Sequence, residues 1–271
     1  QRSVQTAADP TSTARKLTRR RNCSLLSYEY VTSRLTHHPT EATMTAILED
    51  LEARVAALER THHGCTAPNH AVDSSVRRAR SAVESRGCCY SAAWKWVPPE
   101  YYAWNYERRR KALGAATTHQ LCKSMLMENR ARSGSSSDCS DRTNARYYLV
   151  VVQYEASIDA SKLASEVRGL RPAGPGGNRL DPNKFDFRVA SEEDNARLTG
   201  YVTNSVTPFG MRDGTVPVVL ARAVTELEPK FMWMGGGHVD LKLGMAVEDF
   251  VKGTDALVLD VSEPRSGGGE K

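Results

Sequence analysis

The stretch YYLVVVQY at Tyr147–Tyr154 gives the clearest strand signal in the chain. It consists of aromatic and β-branched residues, which strands favour because such side chains pack well on a pleated surface. A second apolar stretch, LCKSMLMEN at Leu121–Asn129, predicts a short buried strand over Lys123–Glu128. Neither stretch belongs to a regular βαβ repeat, and the sequence contains no Gly-x-Gly-x-x-Gly or P-loop motif. We therefore predict a mixed α/β fold rather than a Rossmann fold.

Capping residues and short apolar runs predict the remaining elements. A helix is expected over residues 107–121, and Asp159 can cap a helix that runs to about Gly169. Ser191 and Asp194 form a capping box at the head of a short helix. Short strands are predicted at Phe185–Val189, Val216–Leu220, Phe231–Met234 and Leu257–Asp260, and a last helix near Val247.

The composition predicts a soluble globular protein. The 271 residues are 40% hydrophobic and 25% charged, and no apolar run approaches the ~18 residues of a membrane span, so we expect no membrane association. The net charge is +5, and most of the excess lies in residues 1–43, which hold seven Lys or Arg and three Asp or Glu. Bulk charge is therefore weak evidence for an RNA site. The six cysteines are too few and too scattered for a disulfide framework, which favours a reducing, cytoplasmic location.

Residues 1–43 are predicted to form a disordered basic extension, because they cannot bury enough apolar surface to fold alone. They are rich in Ser, Thr and Arg and poor in acidic residues, as a mitochondrial transit peptide is, which would give a mitochondrial location. The alternative is untranslated upstream sequence, since Met44 is the first methionine. Residues 263–271 are expected to form a flexible tail.

Residues 44–60 have the pattern of an amphipathic helix. Two heptads are short for an independent coiled coil, so the helix either docks on its own domain or, less expectedly, forms a homodimer. With a linker and a basic helix at 74–86, it makes up a helical segment over residues 44–93. The apolar residues that recur at 3–4–3 spacing are Leu48, Leu51, Val55 and Leu58.

Six aromatic residues crowd into the segment from Trp94 to Tyr106. Such a cluster could stack the bases of a single strand. We instead expect it to pack against the core, as the start of a domain over residues 94–262. Arg108–Arg110 follow the cluster and could contact a phosphate.

Lys123 is the first candidate for chemistry. Strand alternation places it with Met125 and Met127 on one face, in a run where an unpaired ammonium would be costly to bury. The lysine either points into a pocket, where it would hold a phosphate or polarise a reacting oxygen, or reaches solvent or Glu128 from the end of the strand.

Two glycine-punctuated segments are the other candidates. LTGYVTNSVTPFGM, residues 198–211, would expose main-chain amides to a ligand. WMGGGHVDLKLG, residues 233–244, contains three successive glycines, which mark backbone crowding or the approach of a ligand. His238 follows them as a candidate acid or base, although a lone loop histidine is more often incidental.

Taken in order, these segments resemble the YbaK/ProX family, the editing domains associated with prolyl-tRNA synthetase. The resemblance covers roughly residues 107–262 and implies a mixed, partly barrel-like sheet surrounded by helices. The flank VPPEYYAW at Val97–Trp104, with DCSDR at Asp138–Arg142, looks like a poorly characterised eukaryotic branch of the family. The segments that carry the resemblance are Leu121–Asn129, Tyr147–Tyr154, Leu198–Tyr201, Val206–Gly210, Pro217–Leu220, Gly235–Gly237 and Leu241–Leu243.

The resemblance implies hydrolysis of the ester that joins a wrong amino acid to the 3′ end of a tRNA, with no cofactor and no metal. The lysine that the family requires corresponds to Lys123. The family's Gly-x-x-x-Pro loop, which contacts the aminoacyl group, corresponds to Asn204–Pro208 and begins here with Asn204. Asn tolerates a positive φ, but its side chain would alter amino-acid specificity. The predicted substrate-binding residues are Gly200, Tyr201, Asn204, Ser205, Val206, Thr207, Pro208, Phe209, Gly210, Gly235, Gly236, Gly237 and His238.

The expected mechanism is substrate-assisted, with the base supplied by a tRNA hydroxyl or by the amino group of the substrate. Lys123 would anchor the terminal phosphate or ribose, and main-chain amides near Val206 and Gly236 would position the carbonyl. A rival thiol mechanism would use Cys122, which strand alternation points away from Lys123.

Two further alternatives remain open at the level of sequence. A zinc site could form among clustered His and Cys residues, although their spacing fits no standard pattern. A catalytically degenerate protein could bind tRNA or a synthetase complex without hydrolysis, because the helix at 44–60 favours a partner and Asn204 weakens the catalytic loop. The residues considered for zinc are His62, His63, Cys65, His70, Cys88 and Cys89.

Overall fold

The computed structural model describes residues 40–62, 72–87, 90–132 and 139–265. The chain divides into two compact units, residues 1–52 and 53–271. The predicted extension up to residue 39, the end of the predicted tail and most of the candidate zinc ligands lie outside the described residues.

Helix α1 (Glu41–His62) confirms the helix predicted at 44–60. Its apolar side chains are exposed rather than buried, with Leu48 at 54% and Leu58 at 71% of their full accessible surface. Among the helices in the described ranges, none is long and apolar enough to cross a membrane.

The second unit contains a central sheet whose strands lie in the order Phe187–Val189 (β5), Cys122–Asn129 (β2), Tyr147–Gln153 (β3), Val218–Ala221 (β6) and Leu257–Leu259 (β9). Strand β2 is antiparallel to β3 and β5, whereas β3, β6 and β9 run parallel to one another. The strands of the chain are β1 (Ala93–Trp96), β2 (Cys122–Asn129), β3 (Tyr147–Gln153), β4 (Ala156–Ile158), β5 (Phe187–Val189), β6 (Val218–Ala221), β7 (Phe231–Gly235), β8 (Leu241–Ala246), β9 (Leu257–Leu259) and β10 (Ser262–Pro264).

A second sheet, which is antiparallel, has the order β1-β8-β7, and β4 pairs with β10. One parallel bridge, between Leu121 and Trp233, joins the second sheet to the start of β2. Within the described residues the sheets stay open and do not close into a barrel. The mixed α/β prediction is therefore confirmed, and the partly barrel-like closure is not observed.

Helices cover the sheets and agree in part with the prediction. Asp159 caps the helix Ala160–Gly169 (α4) and Ser191 caps the helix Glu192–Thr199 (α5), as expected. The helix predicted at 107–121 is shorter. It covers Tyr106–Leu113 (α3), because its C-cap Gly114 has φ +75°, and a 3₁₀ turn follows at Thr118–Gln120. The helices of this unit are α2 (Ser74–Ser85), α3 (Tyr106–Leu113), α4 (Ala160–Gly169), α5 (Glu192–Thr199), α6 (Arg222–Thr225) and α7 (Val247–Thr254).

The main core lies around β3, whose residues from Tyr148 to Val152 are fully buried. Helix α2 contributes Ala79 and Val83 to the same core. The core thus includes a helix that the sequence analysis assigned to the segment before residue 94. Strands β1, β4, β8 and β10 were not predicted.

Candidate active site

A cavity of about 360 Å³ opens along one edge of β2. Strand β5 pairs with β2 only over Met127–Asn129, and β7 touches the chain at Leu121. Residues 122–126 line the cavity between those two points, and the strand pairing on that edge resumes at Leu126, whose carbonyl oxygen accepts from the Ala190 amide. The other walls are residues 189–192, Asn195, Thr203, Asn204, Val206 and Gly235, together with Tyr102 and Tyr154.

Lys123 lines this cavity together with Asn204, Val206 and Gly235, so segments that are far apart in sequence meet here. Its Nζ donates a hydrogen bond to the carbonyl oxygen of Ala156 at 2.8 Å. Burial lowers the pKa of Lys123 to about 8, and nearby Arg265 contributes in the same direction. The ammonium is thus partly desolvated and held by β4, not by the predicted loop.

Asn204 adopts the left-handed conformation expected at this position, with φ +69°. Its carbonyl oxygen accepts a hydrogen bond from the Tyr102 hydroxyl at 2.6 Å. The next residue, Ser205, is buried and donates from Oγ to the carbonyl oxygen of Val202 at 2.8 Å. The loop is therefore held by its own backbone and by the aromatic segment near residue 102.

The two ends of the predicted 198–211 segment pack into the core and do not line the cavity. Tyr201 is buried, and its hydroxyl donates to the carbonyl oxygen of Phe209 at 2.6 Å. From helix α2, Arg78 donates to the carbonyl oxygens of Gly210 at 2.6 Å and Gly200 at 2.7 Å. Thr207, Pro208 and Phe209 are likewise buried outside the cavity lining. These residues support the loop from outside the cavity.

The glycine run supports the loop. The amide of Gly236 donates to the carbonyl oxygen of Leu241 at 2.9 Å, and that of Gly237 donates to the carbonyl oxygen of Ser205 at 3.0 Å. The expectation that the Gly236 amide positions a substrate carbonyl is therefore wrong, because this N–H is already used. His238 lies outside the cavity lining, 5.3 Å from the Trp96 ring, and its Nδ1 accepts from the Asp240 amide.

Cys122 is buried, and burial raises the pKa of its thiol to about 12 despite the adjacent Lys123. A thiol with that pKa stays protonated near neutral pH, and only the thiolate is a good nucleophile. The structure therefore argues against a thiol mechanism.

The aromatic segment packs against the core, as expected. Arg109 is buried and donates to the carbonyl oxygens of Tyr101 and Tyr102. Lys242 is also buried, and its Nζ donates to the Tyr102 hydroxyl and to the carbonyl oxygen of Val239, each at 2.7 Å. Burial lowers the pKa of Lys242 to about 7, although nearby Asp240 opposes the shift. The buried side chains of Arg109 and Lys242 thus fix the aromatic segment, whose Tyr102 hydroxyl bonds to Asn204.

Ser124 was not predicted as a site residue. The alternating directions of the main-chain groups along β2 explain why it matters. The carbonyl oxygen of Leu126 accepts from the Ala190 amide, so even-numbered residues of β2 point their main-chain groups away from β3. Because ladder directions alternate along an antiparallel strand, the main-chain groups of Ser124 point into the cavity. Its Oγ is buried and makes no hydrogen bond within the described residues.

Glu192, Asn195, Tyr102 and Tyr154 also line the cavity and were not predicted. Tyr102 and Tyr154 lie 21 and 31 residues from Lys123, Glu192 and Asn195 lie 12 and 9 residues before Asn204, and no local pattern joins them. Among the described residues, no group of three or more His, Cys, Asp or Glu side chains could hold a metal ion.

These features define a mixed α/β domain with a partly polar cavity at an open edge of its central sheet. No protein-family model and no curated protein matches the chain. Among solved structures, the chain is similar to one described as "Crystal structure of a putative trans-editing enzyme for prolyl tRNA synthetase". The identity is 21% and the TM-score 0.52, over 70% of this chain and 98% of that chain.

A second similar structure is described as "Epitope backbone grafting by computational design for improved presentation of linear epitopes on scaffold proteins". Its identity is 22% and its TM-score 0.52, over 71% of this chain and 99% of that chain. At these identities the similarity shows a shared fold.

Proposed function

We propose that the protein is a trans-acting deacylase that hydrolyses the ester of mischarged aminoacyl-tRNA. The observation that carries the proposal is the single cavity shared by Lys123, Asn204, Val206 and Gly235. These residues come from the three segments that resemble YbaK/ProX domains, and the similarity to a trans-editing protein agrees with that resemblance. A volume of about 360 Å³ suits the aminoacyl end of a tRNA rather than its body.

In the proposed reaction a water adds to the carbonyl carbon of the ester. The tetrahedral intermediate then breaks its bond to the ribose oxygen, which leaves as a hydroxyl after taking up a proton. The products are the free amino acid and the uncharged tRNA. A neighbouring ribose hydroxyl accepts the proton of the attacking water and passes its own proton to the leaving ribose oxygen, since no Ser-His-Asp arrangement lines the described part of the cavity.

Lys123 anchors the terminal phosphate or ribose, for which it exchanges its bond to the Ala156 carbonyl oxygen. The main-chain N–H of Ser124 replaces that of Gly236 as the donor to the developing oxyanion, because it points into the cavity. Loss of one such positioned donor typically costs about 10²–10³ in rate.

A second candidate is a tRNA-binding or synthetase-complex adaptor without hydrolysis. Two observations favour it. The Nζ of Lys123 already has a hydrogen-bond partner in Ala156, and the apolar side chains Ile47, Leu48 and Leu51 of α1 are exposed, as on a helix that binds another protein.

A deacylation assay on a panel of mischarged tRNAs tests the first proposal against the second. We expect the wild-type protein to release the amino acid from at least one tRNA, and Lys123→Ala to do so at least 10²-fold more slowly. Lys95→Ala, which removes an exposed lysine of β1 outside the cavity, is the matched control. Wild-type activity in Lys123→Ala would refute the assignment, and tRNA binding without any hydrolysis would favour the adaptor.

A further inference from the structure

The cavity carries one positive and one negative side chain. Of the residues that line it, in the part of the chain that the structure describes, Lys123 and Glu192 are the charged ones. Lys123 belongs to β2, whereas Glu192 is the first residue of α5, directly after the N-cap Ser191. The two charges therefore enter the cavity from separate elements.

Glu192 lies beside the segment that bears Asn204. Its Oε1 lies 3.5 Å from the Oγ1 of Thr203, and both residues line the cavity next to Asn204. The following acidic residues differ from it, because Glu193 does not line the cavity and Asp194 forms an ion pair with Arg197 at 2.6 Å.

Apolar residues line the cavity together with the two charged residues. Met125 and Leu126 of β2, Ala190 before α5 and Val206 of the loop all line the cavity. The site thus combines a cation, an apolar surface and a carboxylate. An aminoacyl-nucleotide has the complementary groups, namely a phosphate, a side chain of the amino acid and an α-ammonium that is largely protonated near pH 7.

We propose that Glu192 binds the α-ammonium of the aminoacyl group, so that the site prefers esters with a free amino group over N-acylated ones. The inference rests on the proposed function and extends it to the class of substrate. An N-acylated amine carries no charge, so it cannot form the charge-assisted hydrogen bond to the carboxylate that an ammonium forms. Glu192 is exposed, which makes a modest preference of about threefold to fivefold the expected effect.

The test uses two stable analogues, 3′-(L-alanylamino)-3′-deoxyadenosine 5′-phosphate and its N-acetyl derivative, with binding measured by calorimetry at pH 6.5. The amide linkage prevents hydrolysis, so the measurement does not depend on catalysis. We expect the wild-type protein to bind the free-amino analogue about threefold to fivefold more tightly than the N-acetyl analogue. Glu192→Gln should bind both equally, and Glu193→Gln should keep the wild-type preference.

The outcomes separate this inference from the proposed function. A preference that persists in Glu192→Gln overturns the inference and leaves the deacylase proposal standing. If neither analogue binds the wild-type protein, the inference fails, whereas the deacylase proposal is decided separately by the deacylation panel. Glu192→Asp keeps the charge and should keep part of the preference, which distinguishes loss of the carboxylate from a local folding defect.

Discussion

Gly235 lies so close to Val206 that a Cβ built on the glycine would be 2.4 Å from the carbonyl oxygen of Val206. The glycine therefore allows β7 to lie directly against the loop that bears Asn204. The triple-glycine run reflects contact between two backbone segments here.

Gly235→Ala should force the loop and β7 apart. We expect a loss of about 1–3 kcal/mol in the free energy of unfolding, as for other overpacked sites, together with weaker binding in the cavity. Urea denaturation measures the first effect. Gly214→Ala is the control, because nothing lies within 4 Å of a Cβ built there, and it should change the stability little. Equal stability of the two variants would contradict the close packing.

Lys242 should make the stability depend on pH above neutrality. Its folded pKa of about 7 lies below the unfolded value of about 10.4, so the folded state binds fewer protons between these values. The free energy of unfolding of the wild-type protein should therefore rise from pH 7 to pH 9 relative to that of Lys242→Met. The relative slope is at most about 1.4 kcal/mol per pH unit. Parallel curves for the two proteins would show that Lys242 keeps an ordinary pKa.

Lys123 should give the deacylation rate a pH dependence of its own. If its ammonium anchors the substrate, kcat/KM falls as pH rises through its pKa of about 8, because the protonated form is lost. Lys123→Arg keeps its charge throughout this range, so the ratio of wild-type to Lys123→Arg activity should decline between pH 7 and pH 9. A flat ratio would exclude an anchoring role for the charged lysine.

Asn204 should be replaceable by Gly but not by Ala. At φ +69° a glycine is unstrained, whereas alanine lacks both that freedom and the local hydrogen bonding of asparagine. We expect Asn204→Ala to lose about 1 kcal/mol of stability and Asn204→Gly to lose none. Asn204→Gly should also change the order of preference among mischarged tRNAs, since the Asn204 side chain borders the cavity. An unchanged order would show that this side chain does not select the amino acid.

Arg108 is the member of Arg108–Arg110 best placed to contact a phosphate. It is exposed and stacks on Trp104, with its guanidinium carbon 4.0 Å from the ring centroid, whereas Arg109 is buried and Arg110 pairs with Glu107. Arg108→Ala should weaken tRNA binding and reduce the slope of log affinity against log salt by about 1. Filter binding at several salt concentrations measures this. Arg222→Ala on α6 is the control and should leave the slope unchanged.

Local signals predicted much of the fold. The strand at Tyr147 and the caps at Asp159 and Ser191 depend on neighbouring residues, and the structure confirms them. Strand β8 was missed because LKLGMA contains a lysine and a glycine and is completed by its partners β1 and β7. The length of α3 was overestimated because Gly114 ends it.

The site was less predictable, because its walls come from distant segments. Lys123, Asn204, Val206 and Gly235 were predicted and lie on one cavity. Glu192 and Ser124 were not predicted. The position of Glu192 depends on where α5 meets the loop that bears Asn204, and the direction of the Ser124 main-chain groups depends on how β2 pairs with its neighbours. His238 carried a suggestive sequence context but lies elsewhere.

The two hydrogen bonds from Arg78 to the carbonyl oxygens of Gly200 and Gly210 affect how the gene should be shortened for expression. A truncated gene that starts at residue 94 would still encode every strand of both sheets except the first residue of β1. The resulting protein would nevertheless lack the Arg78 side chain, whose two hydrogen bonds join the two ends of the 200–210 segment. Shortened versions should therefore begin before residue 72.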